Sequence, residues 1–533
     1  MEVDFVIVGA GSAGCALAAR LSESGRYSVA LIEAGPRDRN PWIHIPVGYF
    51  RTMGNPRTDW CYRTEADPGI AGRGINWPRG RVLGGSSSIN GLLYVRGQPQ
   101  DYDGWAQLGC TGWSWESVLP CFKRAETWKG PNGTALRGTE GPLSVQTSRL
   151  SREIVDLWVD AACSAGYKRT EDYNDADQEG VGYFQLTMSG GRRCSSAVAY
   201  LKPARGRTNL AILTDAQTEK VLIEDGRAVG VRVRHSGQMR EIRARAEVVL
   251  SAGAIGSPQI LMLSGIGDPE EMRPHGIDIR ADVPGVGKNL QDHLQARPVF
   301  KTGLPTINTE TNSLLKQAGI ALQYALTGKG PMTMAASLGT GFLKTEPHLE
   351  TPDIQFHIQP FSADSPSEGA HPFSAFTASV LQLRPESAGH ISLRSSNMDD
   401  HPAIHPNYLA TDTDCRTIVK GIQVARRIAA HEPLRSQISE EHAPGADVAF
   451  DDEEATLDWA RRTAVTIYHP TGTCKMGTDP MAVVDPRLRV RGVTGLRVAD
   501  ASIMPKIVSG NTNAPAIMIG ERASDLILED VRG

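Results

Sequence analysis

The feature that most constrains this chain lies in its first thirty-five residues. Val3 to Val8 is a nearly continuous apolar run of strand length, and Gly9-Ala-Gly11-Ser-Ala-Gly14 follows it directly. A run of that kind suits a parallel strand buried on both faces. Cys15 to Leu21 has helical composition with small residues, Gly25 ends it, and Ser28 to Glu33 supplies a second strand. The pattern predicts a strand-helix-strand unit with Gly-x-Gly-x-x-Gly in its first turn. Gly9 allows the tight turn, Gly11 admits a pyrophosphate, Gly14 lets the helix pack on the strand, and the helix N-terminus offers free amides. Glu33 follows Gly14 by nineteen residues, where a carboxylate can accept the ribose hydroxyls of an adenosine. The unit predicts dinucleotide binding and does not separate NAD from FAD.

At 533 residues the chain is too long for one core, and length alone predicts roughly two to four domains. A net charge of -4 without a long basic run argues against nucleic acid as a partner. No apolar stretch approaches the roughly eighteen residues that span a bilayer, and the start lacks the regions of a signal peptide. The expectation is a cytoplasmic protein. The eight cysteines form no Cys-x-x-Cys pair, which predicts free thiols and no metal centre. His401-x-x-x-His405 could pair on a helix, but each histidine precedes a proline, so a loop is expected.

Further along, Leu210 to Leu213, Lys220 to Ile223 and Ala228 to Val233 read as strands, and Glu247 to Ser251 runs into Gly253, with Ser257-Pro258 expected to cap and start a helix. Ile354 to Ile358, Ala375 to Leu383 and His390 to Leu393 predict an antiparallel sheet with one covered face. Asp451 to Arg462 places acids first and arginines last, matching a helix dipole. Gly510 onward reads as a loop opening into a final helix.

Two stretches carry a family resemblance. Pro78 to Gly97 holds Gly84-Gly-Ser-Ser-Ser-Ile-Asn90, a run of exposed amides and hydroxyls, and residues 253 to 267 read Gly-Ala-Ile-Gly-Ser-Pro-Gln-Ile-Leu-Met-Leu-Ser-Gly-Ile-Gly. Both resemble signatures of the glucose-methanol-choline (GMC) oxidoreductases, flavoenzymes that oxidise alcohols. The likeness is greatest to bacterial alkanol, polyethylene glycol, sorbose and choline dehydrogenases, and it implies FAD over NAD. It implies an α/β chain, α+β overall, with a Rossmann-like FAD-binding domain (1–150, 201–300 and 465–533) and a substrate domain on an antiparallel sheet flanked by helices (151–200 and 301–464).

The resemblance implies FAD contacts from Gly9, Gly11, Ser12, Ala13, Gly14, Glu33, Ala34, Arg81, Val82, Gly84, Gly85, Ser86, Asn90, Gly91 and Leu92. It adds Thr218, Ala252, Gly253, Asp500, Ala501, Asn511 and Thr512 further on. His469 opens His-Pro-Thr-Gly-Thr-Cys-Lys-Met-Gly477, which resembles the family's active-site segment, and is implied as the base. Asn513, forty-four residues later, is implied as the partner of the substrate oxygen. Its alternative is a helix N-cap. His293, in a family-like loop, is expected to be structural. Some relatives attach FAD through a histidine where Ile89 stands, so noncovalent FAD is expected. Gly330 to Phe342 contains no acid to hold a quaternary ammonium, which weakens choline as the substrate. The expected reaction oxidises a primary alcohol and passes electrons to a quinone or other non-oxygen acceptor. An oxidase, a hydroxynitrile lyase with non-redox FAD, and a nicotinamide enzyme are the rivals. Peripheral contact with the inner face of the membrane and the oligomeric state stay open.

Overall fold

The computed structural model describes residues 1–131, 133–311, 313–364 and 369–531. Its first sheet has the spatial order Leu210–Leu213, Val29–Ile32, Glu2–Val8, Gln238–Leu250, Arg227–His235, Ala216–Glu224, and Leu496–Val498 also pairs with Gln238–Leu250. The pairs that flank Glu2–Val8 are parallel, and the long excursion of residues 216–250 is antiparallel. Phe5, Val6 and Ile7 are wholly buried, as the continuous apolar run requires. The helix Ser12–Leu21 leaves the first strand through Gly9 at φ 99. A Cβ there would lie 2.4 Å from the Ser251 carbonyl, and one on Gly14 would lie 2.0 Å from the Gly9 carbonyl. Only glycine permits both approaches.

The second sheet is wholly antiparallel, in the order Ile438–Ala443, Val299–Thr302, Ala375–Gln382, Ile354–Gln359, Gly339–Leu343, Gly180–Tyr183, with Leu294–Ala296 and Val465–Thr466 attached at one side. Two expectations change here. Strands 294–296 and 465–466 pair in this sheet although they fall within the expected dinucleotide-domain ranges, and strand 299–302 crosses the expected boundary at residue 300. The sheet is also covered on both faces: every residue of Ala375–Gln382 is buried. One face packs on helix Asp412–Ala429, where Gly421 meets Val380, and on Trp158 over Phe356. The other turns Gln295, His357 and Gln359 toward a large cavity. Polar side chains on a buried face hid that burial from the alternation pattern.

A third expectation fails at Ser257-Pro258. The helix runs from Gly253 to Leu263 with Pro258 inside it. Proline cannot donate to the carbonyl four residues earlier, and that carbonyl, of Ala254, instead accepts from Thr473 Oγ1 at 2.6 Å. Ser257 Oγ donates to Asp500 Oδ2 at 2.6 Å and accepts from the amide of Ala252 at 3.1 Å, just before the helix begins.

The final helix, Asn513–Asp530, lies against the first one. Glu521 sits wholly buried between them, accepting from Arg20 Nε at 2.9 Å, Arg124 Nε at 2.6 Å and the Tyr200 hydroxyl at 2.7 Å. Replacing Glu521 with leucine leaves two guanidiniums and a phenol without their acceptor. A loss of about 2–4 kcal/mol is expected, moderated because both arginines reach solvent. A lower thermal unfolding midpoint for Glu521→Leu checks this, and an unchanged midpoint would remove Glu521 from the helix clasp.

Candidate active site

A cavity of about 1070 Å³ lies where the carboxyl ends of the parallel strands face the polar side of the antiparallel sheet. Its volume reaches the upper end of small-molecule sites. Gly9, Gly11, Ser12, Ala13, Glu33, Ala34, Gly85, Ser86, Asn90, Gly91, Thr218, Ala252, Gly253, Asp500, Ala501, Asn511, Thr512 and Asn513 line it. Gly14, Arg81, Val82, Gly84 and Leu92 do not stand on its wall. Gly14 packs on Gly9, Val82 packs with Ile43 and Ile89, and the Gly84 amide donates to the Ala10 carbonyl at 2.8 Å. Leu92 is buried in a small core with Phe184 and Phe342. Arg81 lies over the Trp60 ring at 5.0 Å.

Two helix N-termini open into the cavity, that of Ser12–Leu21 and that of Asn513–Asp530, and Ser12 Oγ donates to Asn513 Oδ1 at 2.8 Å to join them. Thr218 Oγ1 is buried on the wall with no partner among the described residues. Glu33 accepts the amides of Ala10 at 3.0 Å and Gly35 at 2.8 Å. Burial lifts its carboxyl to about 7, against the lowering effect of those two amides. Free amides, an unpartnered hydroxyl and a buried carboxylate along one wall fit a dinucleotide.

At the far end stands His469, and its ring contacts fix its protons. His293 Nε2 lies 2.9 Å from the Leu383 carbonyl, which can only accept, so that nitrogen carries hydrogen. Burial lowers His293 to about 4, so its ring is neutral and its Nδ1 is a bare acceptor. Nδ1 of His293 is 3.0 Å from Nδ1 of His469, which therefore donates. His469 Nε2 is left as a lone pair, and the amide Nδ2 of Asn511 lies 3.1 Å from it. Asn511 is held in that sense by Gln355 Nε2, 3.3 Å from its Oδ1. Burial, followed by the charges of His293 and His357, lowers His469 well below its ordinary value. The His469 amide donates to Asp292 Oδ1 at 2.7 Å, while Asp292 Oδ2 accepts from Thr466 Oγ1 at 2.6 Å and from the Tyr408 hydroxyl.

The contacts of His469 come from residues other than the one paired with it by resemblance. Asn511, not Asn513, faces the histidine. Thr512 is the cap of the final helix, so the side chain at 513 already follows the helix and turns to Ser12, whereas residue 511 lies before it in the loop. His293, expected to be structural, touches His469 directly. Sequence reading also missed His357, whose buried Nε2 has no partner among the described residues, and Gln295, whose buried Oε1 has none among them. Both line the cavity. Their alternation with buried neighbours was the available signal. His401 and His405 form no helical pair: His405 lies in strand Ala403–His405 and stacks on His390 at 4.5 Å. Ile89 lines the cavity where a linking histidine would stand.

Family models described as GMC oxidoreductase match residues 3–295 and 385–520. An oxygen-dependent choline dehydrogenase of Brucella suis is 44% identical over 99% of this chain and 96% of its own. An alcohol dehydrogenase (acceptor) of Pseudomonas putida is 40% identical over 99% and 96%. Among solved structures, pyridoxine 4-oxidase from Mesorbium loti superimposes with a TM-score of 0.89 at 32% identity over 98% of each chain. Among the described residues no helix is long and apolar enough to cross a membrane.

Glu33 generates a pH prediction. Its folded value of about 7 lies above the ordinary 4.5, so as pH rises the unfolded chain releases this proton first. The group therefore costs the cofactor-free fold stability progressively from about pH 4.5 to 7, with the full cost, about 3 kcal/mol by the linkage relation, remaining above that. Glu33→Gln should flatten this part of the pH profile of thermal unfolding and weaken retention of the dinucleotide. A variant that keeps the parent profile and full retention would move both roles to another residue.

Proposed function

Because the chain belongs to the GMC oxidoreductase family, with FAD as its cofactor and flavin-dependent alcohol oxidation as its reaction, we propose that it is a dehydrogenase of a primary alcohol with His469 as the base. We assign a quinone or other non-oxygen compound as the acceptor. Bound FAD supplies the acceptor for the hydride that leaves the alcohol carbon. The chain must then hold the alcohol, take its hydroxyl proton and exclude water.

The observation that carries the reading is the one-way chain of hydrogen bonds from His469 through His293 to the Leu383 carbonyl. It presents a lone pair, not a proton, at His469 Nε2. A hydroxyl that replaces the 3.1 Å contact between that nitrogen and Asn511 Nδ2 can donate its proton to the nitrogen and accept from the amide, which holds the oxygen as its charge grows. His293 acts through His469 and is a positioning residue. His357 Nε2 supplies a second polar contact on the sheet side. Burial holds His469 well below the ordinary histidine range, so the flavin reduction rate should stay flat through neutral pH and fall only where acid protonates the ring, below the pH at which a free histidine titrates. An oxidase is the second reading, favoured by the similarity to pyridoxine 4-oxidase. Reoxidation of the reduced enzyme by air, followed in a stopped-flow instrument, decides between the two.

His469→Ala should slow anaerobic flavin reduction on the order of 10² to 10⁴ with FAD retained. Asn511→Ala loses one hydrogen bond to the reacting oxygen, and a drop of about tenfold to a hundredfold is expected. His293→Phe removes the acceptor for His469 Nδ1, allows the wrong tautomer, and should cost a similar factor. Asn513→Ala should reveal itself in FAD retention more than in the reduction rate. A His469→Ala enzyme reducing its flavin at the parent rate would sink the mechanism.

Ile89 offers no nucleophile for attachment, so the proposed FAD is noncovalent. Acid precipitation should leave a colourless pellet and a yellow supernatant. Colour held by the protein would contradict the assignment.

A further inference from the structure

On the wall of the cavity that holds the base, three residues carry side-chain hydrogen-bond donors that meet no protein acceptor among the described residues. They are the guanidinium of Arg297 and the hydroxyls of Tyr49 and Tyr468, and all three residues line the cavity. They lie within electrostatic reach of one another, since each phenol acts on Arg297 and Arg297 on each phenol. Burial raises both phenols, so they remain protonated donors. Arg297 follows Gln295 by two residues at the end of strand Leu294–Ala296, which puts it beside the alcohol site.

The nearby acids do not neutralise Arg297. Asp59 accepts the amides of Gly54, Cys61 and Arg79 at 2.7, 2.9 and 2.9 Å. Asp59 and Asp292 act on the half-buried guanidinium of Arg79. Asp364, the one carboxylate among the described residues that acts on Arg297, is 3.2 Å from His371 Nε2. The neighbouring polar groups of the sheet, Gln295, Gln359 and His357, carry no negative charge. A half-buried guanidinium with no ion-paired carboxylate among the described residues is stabilised by a ligand that supplies one.

We infer that Arg297, Tyr49 and Tyr468 form an anion subsite, and that the alcohol oxidised at His469 carries a carboxylate at its other end. A planar carboxylate matches the guanidinium fork, with the phenols as additional donors. A quaternary ammonium at the same place would face a guanidinium and no free carboxylate, so choline is selected against by charge. The inference rests on the proposed alcohol oxidation but makes a separable claim about which alcohol.

The test uses the enzyme as purified with FAD, under anaerobic conditions, with an ω-hydroxyalkanoate, the plain alkanol of the same length, and choline. The parent should favour the hydroxyalkanoate. In Arg297→Met the ratio of kcat/KM for hydroxyalkanoate over alkanol should fall about tenfold to a hundredfold, the span expected for a charge-assisted pair, and Arg297→Lys should restore part of it. Inhibition by the hydroxyl-free alkanoate should weaken by the same factor. A parent that prefers choline or the plain alkanol, or a ratio untouched by Arg297→Met, overturns the anion subsite and leaves flavin-dependent alcohol oxidation standing. If no alcohol reduces the flavin, the proposed oxidation itself fails. The subsite is then decided by the alkanoate's perturbation of the flavin spectrum: its loss in Arg297→Met supports the subsite, and its absence in the parent overturns it.

Discussion

A backbone carbonyl can only accept a hydrogen bond, and at Leu383 that limitation propagates into the chemistry. It places a proton on His293 Nε2, thereby bares His293 Nδ1, draws the proton of His469 to its own Nδ1 and leaves Nε2 free. No charge is needed to achieve this. Leu383 follows the strand Ala375–Gln382, and its own amide is held by the Asp353 carbonyl at 2.8 Å. The antiparallel sheet therefore sets the tautomer of a histidine that the chain delivers 86 residues later, by the difference 469 − 383. The ring that would bind protons most readily in water is kept neutral by its surroundings, so orientation is obtained without a competing charge.

The same desolvation acts differently at the two ends of the cavity. Near the dinucleotide wall, burial pushes Glu33 and Asp500 upward, opposed by the backbone amides and hydroxyls they accept. Near the alcohol site it pushes His293 and His357 downward to about 4 and 3. Acids that resist ionisation and bases that resist protonation leave the buried walls close to neutral. A ligand entering such a space meets directed donors and acceptors, which discriminate by geometry, with Arg297 as the exception that reads charge.

How much of this was legible in the sequence depends on how far apart the interacting residues lie. The opening unit was readable because Gly9, Gly11, Gly14 and Glu33 act within one local fold, and the structure places three of the four on the cavity wall. The strands at 210–213 and 354–359 were readable from apolar composition. His469, proposed as the base, was expected from its motif, and Asn511 beside it was not: residues 511 and 513 differ only in which side of a helix start they occupy, a boundary that sequence patterns blur by a residue or two. His293 meets His469 across 176 residues of chain, with no local pattern to announce it. The proline inside Gly253–Leu263 is tolerated because Thr473, more than two hundred residues away, serves the carbonyl that proline leaves bare.

The segment that delivers the base shows why such a site must be held from several directions. Tyr468 has φ 70, a left-handed conformation that a bulky side chain adopts at a cost of about 1–3 kcal/mol. Its carbonyl accepts from Arg79 Nη2 at 2.6 Å, its amide donates to Thr466 Oγ1 at 2.7 Å, and the next amide donates to Asp292. Pro470 then removes the helical option for residue 469. The strained turn brings both Tyr468 and His469 to the cavity wall, so one backbone kink serves both the proposed anion subsite and the proposed base. Relaxing that turn would release local strain, but it would also separate Asp292 from the His469 amide and leave a buried carboxylate oxygen without its donor. The unfavourable backbone angle persists because the network around it makes every alternative more costly.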